Sequence, residues 1–222
     1  MSKVTIPIQI EGFLKVYDPN SGEVFYDGHN AIHYENISVA IADTLSSRGY
    51  GSIIKMAFGN GGASVDETGV ITYLPTNTTG QNASLYNQTY TKIVDDTSVL
   101  NTDPTRNKML VSHTTGKVYT DIIVEALLDY GEPAGQLAFD NGTQIESAFV
   151  FDEIGLLADY GSDEAGNELT KLLTHVVFHP VQKSLNRQIQ IDYTVRIQTL
   201  TNLITIQDKY YIKRSNTEWL IQ

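Results

Sequence analysis

Cysteine is absent from this chain of 222 residues. That excludes disulfides, thiolate metal sites and a cysteine nucleophile, and leaves the redox compartment open. Cations are scarce: 15 Lys and Arg stand against 26 Asp and Glu, a formal net charge of −11. Phosphate backbones are held by clustered Lys and Arg that displace counterions, so no nucleic-acid partner is expected. Long apolar runs are also missing. No stretch approaches the ~20 residues of a membrane helix, and no membrane partner is expected. Residues 1–10 lack a charged start followed by an apolar run, which reads as a chain made and folded in a cytoplasm. Sequons at Asn36, Asn77, Asn82, Asn87 and Asn141 then follow from a Thr/Asn-rich composition rather than from glycosylation. There is no heptad run and no fixed-period repeat, which excludes a coiled-coil shaft.

What the sequence does contain is alternation. Ile189, Ile191, Tyr193, Val195 and Ile197 interleave with Gln190, Asp192, Thr194 and Arg196, the period-two pattern of a strand with one buried face. Residues 147–158, 172–183 and 187–200 read as three consecutive strands. Val4, Ile6, Ile8 and Ile10 alternate as well, but Pro7 cannot donate to a ladder and favours an edge or a swapped arm. Residues 13–18 and 23–27 flank Pro19-Asn20-Ser21-Gly22, the chemistry of a hairpin turn. Ile37, Ala40, Ile41, Thr44 and Leu45 recur at helical spacing, giving one helix over about 34–48 that stops before Gly49. A short buried strand at 53–58 runs into Gly59-Asn60-Gly61-Gly62, a turn rich in residues that tolerate positive φ.

Residues 63–85 read as a long surface loop, a feature uncommon in a compact domain unless it touches a partner or another copy. Strands follow at 90–94, 108–113 and 117–128, the last two joined by Thr114-Thr115-Gly116. Residues 131–135 and 140–142 punctuate a further exposed connection. The expected organisation is an N-terminal arm over 1–12, a domain over 13–200 and a C-terminal appendage over 201–222. The expected fold class is all-β with one packed helix, a two-sheet β-sandwich of jelly-roll or Greek-key type.

Residues able to do chemistry are few. His175 and His179 are four apart, which on a strand puts them on one face about 13 Å from each other, too far to share a metal. They read as occupants of the more polar strand face. His29 and His33, near Asp27 and Glu35, are explained by capping and surface hydrogen bonding. Asp152-Glu153 is an acidic pair inside an apolar strand. Adjacent strand residues point to opposite faces, so one carboxylate aims inward or at a bulge, for which Gly155 is the natural place. A glycosidase needs two carboxylates facing each other across a substrate, which adjacent residues on one strand do not supply. Asp95-Asp96 and Asp163-Glu164 read as solvated, and Asp159, Asp163 and Glu164 around Gly161 fit no calcium loop. Gly59-Asn60-Gly61-Gly62 lacks the Lys-Ser/Thr ending of a phosphate loop and no amphipathic helix follows it. No catalytic, cofactor-binding or metal residue, no cofactor and no small-molecule substrate is therefore expected, and the chain does not read as an enzyme.

Several longer phrases are more particular: Asn30-Ala-Ile-His-Tyr-Glu-Asn36, Met56-Ala-Phe-Gly-Asn-Gly-Gly62, Leu85-Tyr-Asn-Gln-Thr-Tyr90, Leu128-Asp-Tyr-Gly-Glu-Pro133, Phe151-Asp-Glu-Ile-Gly-Leu156 and Leu173-Thr-His-Val-Val-Phe-His-Pro-Val-Gln-Lys-Ser-Leu-Asn-Arg187. Together they resemble a family of virion structural proteins from large contractile-tailed bacteriophages, including those of marine cyanobacteria, over roughly residues 12–199. The resemblance implies a non-enzymatic β-sandwich subunit of tail, neck or baseplate. It implies a virion location after synthesis in the host cytoplasm, with other virion proteins and further copies of itself as partners. Loops and terminal arms at 1–10, 63–85 and 201–222 would make the contacts. A capsid decoration protein is the alternative within that class. A carbohydrate-binding receptor module is the alternative outside it, suggested by Tyr73, Tyr86, Tyr90, Tyr130 and Tyr160.

Overall fold

The computed structural model describes residues 7–134 and 148–199. The arm residues 1–6, the connection at 135–147 and the expected appendage at 201–222 lie outside the described residues. Within them the chain is mostly β with one helix.

Strand β1 (Ile8–Tyr17) turns into β2 (Val24–Ile32). Asp18 makes the turn: its Oδ1 accepts from Asn20 N at 2.8 Å, its carbonyl accepts from Gly22 N, and Gly22 takes φ +76°. β1 pairs along its whole length with β12 (Ile189–Thr199), Ile8 opposite Thr199 and Tyr17 opposite Gln190. The arm expected over 1–12 is thus corrected at residue 8. Pro7 precedes a strand in the middle of the sheet, where its missing N–H breaks no ladder bond.

Helix α1 (Tyr34–Leu45) is shorter than expected because the chain leaves the helix at Ser46 and reaches positive φ at Ser47. Its N-cap is His33, whose side chain accepts from Asn36 N. Next come β3 (Ile53–Gly59), the three-residue strands β4 (Ala63–Val65) and β5 (Ile71–Tyr73), β6 (Gln88–Ile93), β7 (Lys108–Ser112) and β8 (Tyr119–Leu128). The segment expected as a loop over 63–85 therefore contains a hairpin, β4 paired with β5. β9 (Ala148–Ser162) runs on past the expected end at 158. The strand expected over 172–183 is β11 (Thr174–Ser184), and a further short strand that was not expected, β10 (Glu168–Leu172), precedes it; both lie against the same edge of β9.

One hydrogen-bonded path joins β6-β3-β9-β11-β2-β1-β12-β8-β7, with β10 also on β9. All its pairings are antiparallel. Two separate sheets were the expectation, but β11 and β2 connect the halves through Thr174 opposite Ile32 and His175 opposite Ala31. The sheet curls so that both halves feed one core. Met56, Phe58, Phe151 and Leu156 from one half pack in a single cluster with Leu14, Val124, Ile191 and Tyr193 from the other. Ile37 and Ala40 of α1 join it from one end.

β9 departs from plain alternation in a way that sets up the site. Phe149 and Phe151 face the core, and so do Ile154, Leu156 and Ala158. The inward phase passes from odd to even numbers across Asp152-Glu153. Opposite this point β11 carries extra residues, since Val177 pairs with Glu153 and Val181 pairs with Phe151, leaving Phe178-His179-Pro180 against Asp152. A bulge of this kind re-aims side chains, and Pro180 sits where no ladder N–H is required.

Candidate functional site

The phase change sends both carboxylates out of the core, where they would meet water if the sheet ended there. They do not: Asp152 is 3% exposed and Glu153 is fully buried. A strap formed by residues 60–87 lies over them. Asp152 Oδ1 accepts from Gly62 N and Oδ2 from Ala63 N, each at 2.9 Å. Glu153 Oε1 accepts from Gly61 N at 3.1 Å and Asn87 N at 2.8 Å, and Oε2 from Tyr86 N at 2.9 Å. The two ends of the strap are thereby tied to one point of β9. Asn60 N donates to Asn87 O and the Asn87 amide donates to Asn60 Oδ1 at 2.7 Å, closing the base.

His175 completes the cluster. Its Nδ1 accepts from Asn77 N at 2.7 Å, so the ring proton is on Nε2, which donates to Glu153 Oε2 at 3.0 Å. The ring is fully buried, and not on the polar strand face expected for it. His33 repeats the arrangement at the far side of the strap. Its Nδ1 accepts from Asn36 N while Nε2 donates to Gly80 O at 2.9 Å. Two buried histidines thus fasten the middle of the strap as the two carboxylates fasten its ends. A small apolar cluster of Ala57, Leu85, Leu157 and Leu172 fills the space beneath it.

The glycines follow from this packing. Gly59, Gly61 and Gly62 do not adopt positive φ, contrary to the expected turn chemistry. They are small because backbone and carboxylate come close. A Cβ on Gly59 would lie 2.5 Å from Asn87 O, and one on Gly62 would lie 2.8 Å from Val177 Cγ1. Gly155, the expected bulge, has the same cause: a Cβ there would stand 2.6 Å from Thr174 O. The bulge lies at the acid pair itself.

Burial drives the Glu153 carboxyl upward, but the His175 hydrogen bond and the N–H groups of Asn87, Tyr86 and Gly61 outweigh it, and Glu153 ends below the usual glutamate range. Asp152 moves the other way. Burial, helped by the charge of Glu153, overrides the donors from Gly62 and Ala63 and raises it. Paired acids held apart in this manner can serve acid–base chemistry when a substrate reaches them. Here every oxygen of Glu153 faces a donor of the protein, and the strap covers both groups.

The other candidates are scattered. His179 is exposed with Nδ1 3.2 Å from Tyr73 Oη, and His29 is exposed with its ring 4.7 Å from that of Phe13. Asp95, Asp159 and Asp163 each accept backbone N–H groups of their own turns, from Thr97, Gly161 and Asn167 among others. Of the tyrosines, Tyr90 packs against Phe58 and Phe149 and Tyr160 stacks on Tyr50. The Tyr86 hydroxyl donates to Pro75 O at 2.5 Å, and Tyr130 Oη accepts from Asn20 near the β1–β2 turn. They form no common platform. Among the described residues no group of three or more His, Asp or Glu is placed to hold a metal, and no helix is long and apolar enough to cross a membrane. No family model, curated protein or solved structure matches this chain.

Proposed function

We propose that this chain is a non-enzymatic structural subunit of a phage particle, a connector at the tail, neck or baseplate that assembles in symmetric copies. The observation that carries this reading is the strap. Asp152, Glu153, His33 and His175 are buried fastenings for an external segment, and that segment presents Val65, Val70, Tyr73 and Leu74 to solvent. An isolated two-stranded hairpin is marginal by itself, and exposed apolar residues on a firmly held hairpin suit a protein partner. We read the curled sheet as a sandwich of two five-stranded halves hinged at the short β11–β2 seam, a rigid body from which the hairpin projects. The resemblance of the phrases at 30–36, 56–62, 85–90, 128–133, 151–156 and 173–187 to contractile-tail virion proteins supports the class.

The test is quantitative mass spectrometry of purified particles separated into heads and tails. Low copy number confined to the tail or neck fraction is the expected result. High copy number in heads would make the chain a decoration protein, and absence from both fractions would overturn the virion reading.

A further inference from the structure

Helix α1 lies across one end of the curled sheet, and an apolar cavity of about 390 Å³ opens beneath it. Its walls include Ile41 and Leu45 of α1, Val111 of β7, and Val195 and Ile197 of β12. The rim is not closed: Leu45 is 82% exposed and Val111 is 76% exposed. Taking ~150 Å³ as the room for one benzene-sized group, the cavity has space for roughly two or three large side chains. An open apolar hollow rimmed by bare aliphatic groups is a place for an occupant.

The strand that walls the cavity also leads out of it. β12 ends at Thr199, which is fixed by its N–H to Val118 O at 2.9 Å, and residues 200–222 follow. Beyond the single Leu200, their first apolar run is Leu203-Ile204-Thr205-Ile206, beginning four residues past Thr199. At ~3.3 Å per residue that group can reach about 13 to 23 Å from the strand end, enough to turn back over the cavity. Charge favours the return. Residues 200–222 contain Lys209, Lys213 and Arg214 against Asp208 and Glu218, a net +1, so the remaining chain has −12 of the total −11. Helix α1 contains Glu35 and Asp43 and no basic residue.

We propose that the cavity beneath α1 is the seat of the chain's own residues 203–206, inserted in the same molecule. The inference is independent of the virion reading, which stands if it fails. The absence of cysteine makes the test clean, because an engineered pair has no competitors. In the full chain, Val111→Cys with Ile204→Cys is compared with Glu67→Cys with Ile204→Cys on the strap hairpin. Mild oxidation closes the first pair within one chain and leaves the second open. A link only between chains gives the seat to a second copy and overturns the proposal, as does no link above the control. The second measurement uses an apolar fluorescent dye, anilinonaphthalene sulfonate. The unaltered chain is expected to bind it weakly, and Ile204→Asp with Ile206→Asp to bind several-fold more with unchanged far-UV circular dichroism. Strong binding by the unaltered chain, or no rise in the variant, contradicts the proposal.

Discussion

Glu153 is the residue on which the outer face of β9 depends. It is buried, charged and supplied with four donors, so the loss of its charge leaves donors facing a group that cannot accept from all of them. Glu153→Gln is expected to cost ~3 kcal/mol in denaturant unfolding at neutral pH, since one partner of a buried charged network is removed. The pH dependence has a definite sign. A folded-state value below the ordinary glutamate value of 4.5 means that Glu153 stabilises the protein above that pH, and that the contribution is lost as pH falls through the lowered value. Asp152 works in the opposite sense. Its raised value makes its contribution full below the ordinary aspartate value of 3.8 and lost as pH climbs through the raised one. Acid titration of stability should therefore be flatter below pH 4.5 in Glu153→Gln than in the parent, and Asp152→Asn should cost less than Glu153→Gln at neutral pH. A steeper acid loss in Glu153→Gln would contradict the assignment. Gly155→Ala places a methyl against Thr174 O and Leu172, and is expected to lower stability by ~1–3 kcal/mol as read by thermal unfolding. The acid pair is visible in the sequence as two charges in an apolar run. Its purpose is not, because the five strap donors are backbone N–H groups and every residue type but proline has one.

The strap is the element that the pattern of side chains describes least well. Its strands are three residues each, too short for a period of two to register, and its Thr, Asn and Gly content is that of a loop. The apolar residue that anchors it, Leu85, is 3% exposed and belongs to the small cluster outside the main core. Leu85→Ala is expected to cost ~2–4 kcal/mol. Thermolysin should cut this variant, and Glu153→Gln, first within residues 64–86, while leaving the parent intact over the same time. Equal resistance in all three would show that the strap is held by something other than the cluster and the acids. By contrast β12 is plain in the sequence, since Ile189, Ile191, Tyr193 and Val195 are buried in strict alternation. β9 is half legible. Its phase changes at Asp152-Glu153, a slip set by the bulge in β11 some 25 residues later in the chain (177 − 152). Local periodicity cannot report an irregularity imposed by a neighbour in space.

Across the whole molecule, an all-β architecture with one helix follows from alternation and turn chemistry, while the joining of the two halves rests on two residue pairs at Thr174 and His175. Two pairs are too few to leave a pattern in the sequence. The same His175 that continues the seam holds Glu153 and Asn77, so the curl of the sheet and the seating of the strap share a residue. Val70→Asp with Leu74→Asp alters only exposed positions, at 57% and 42%, and is expected to leave the melting temperature unchanged while abolishing incorporation into particles. Incorporation at the parental level would remove the hairpin from the assembly surface. The buried acids and histidines are the fastenings of the strap. Backbone hydrogen exchange on the full chain reads this directly at Gly61, Gly62, Ala63, Asn77, Tyr86 and Asn87. These six amides should be strongly protected in the parent and lose protection together in Glu153→Gln, with β8 and β12 still protected. Fast exchange at the six sites in the parent, or protection unchanged in the variant, would contradict it.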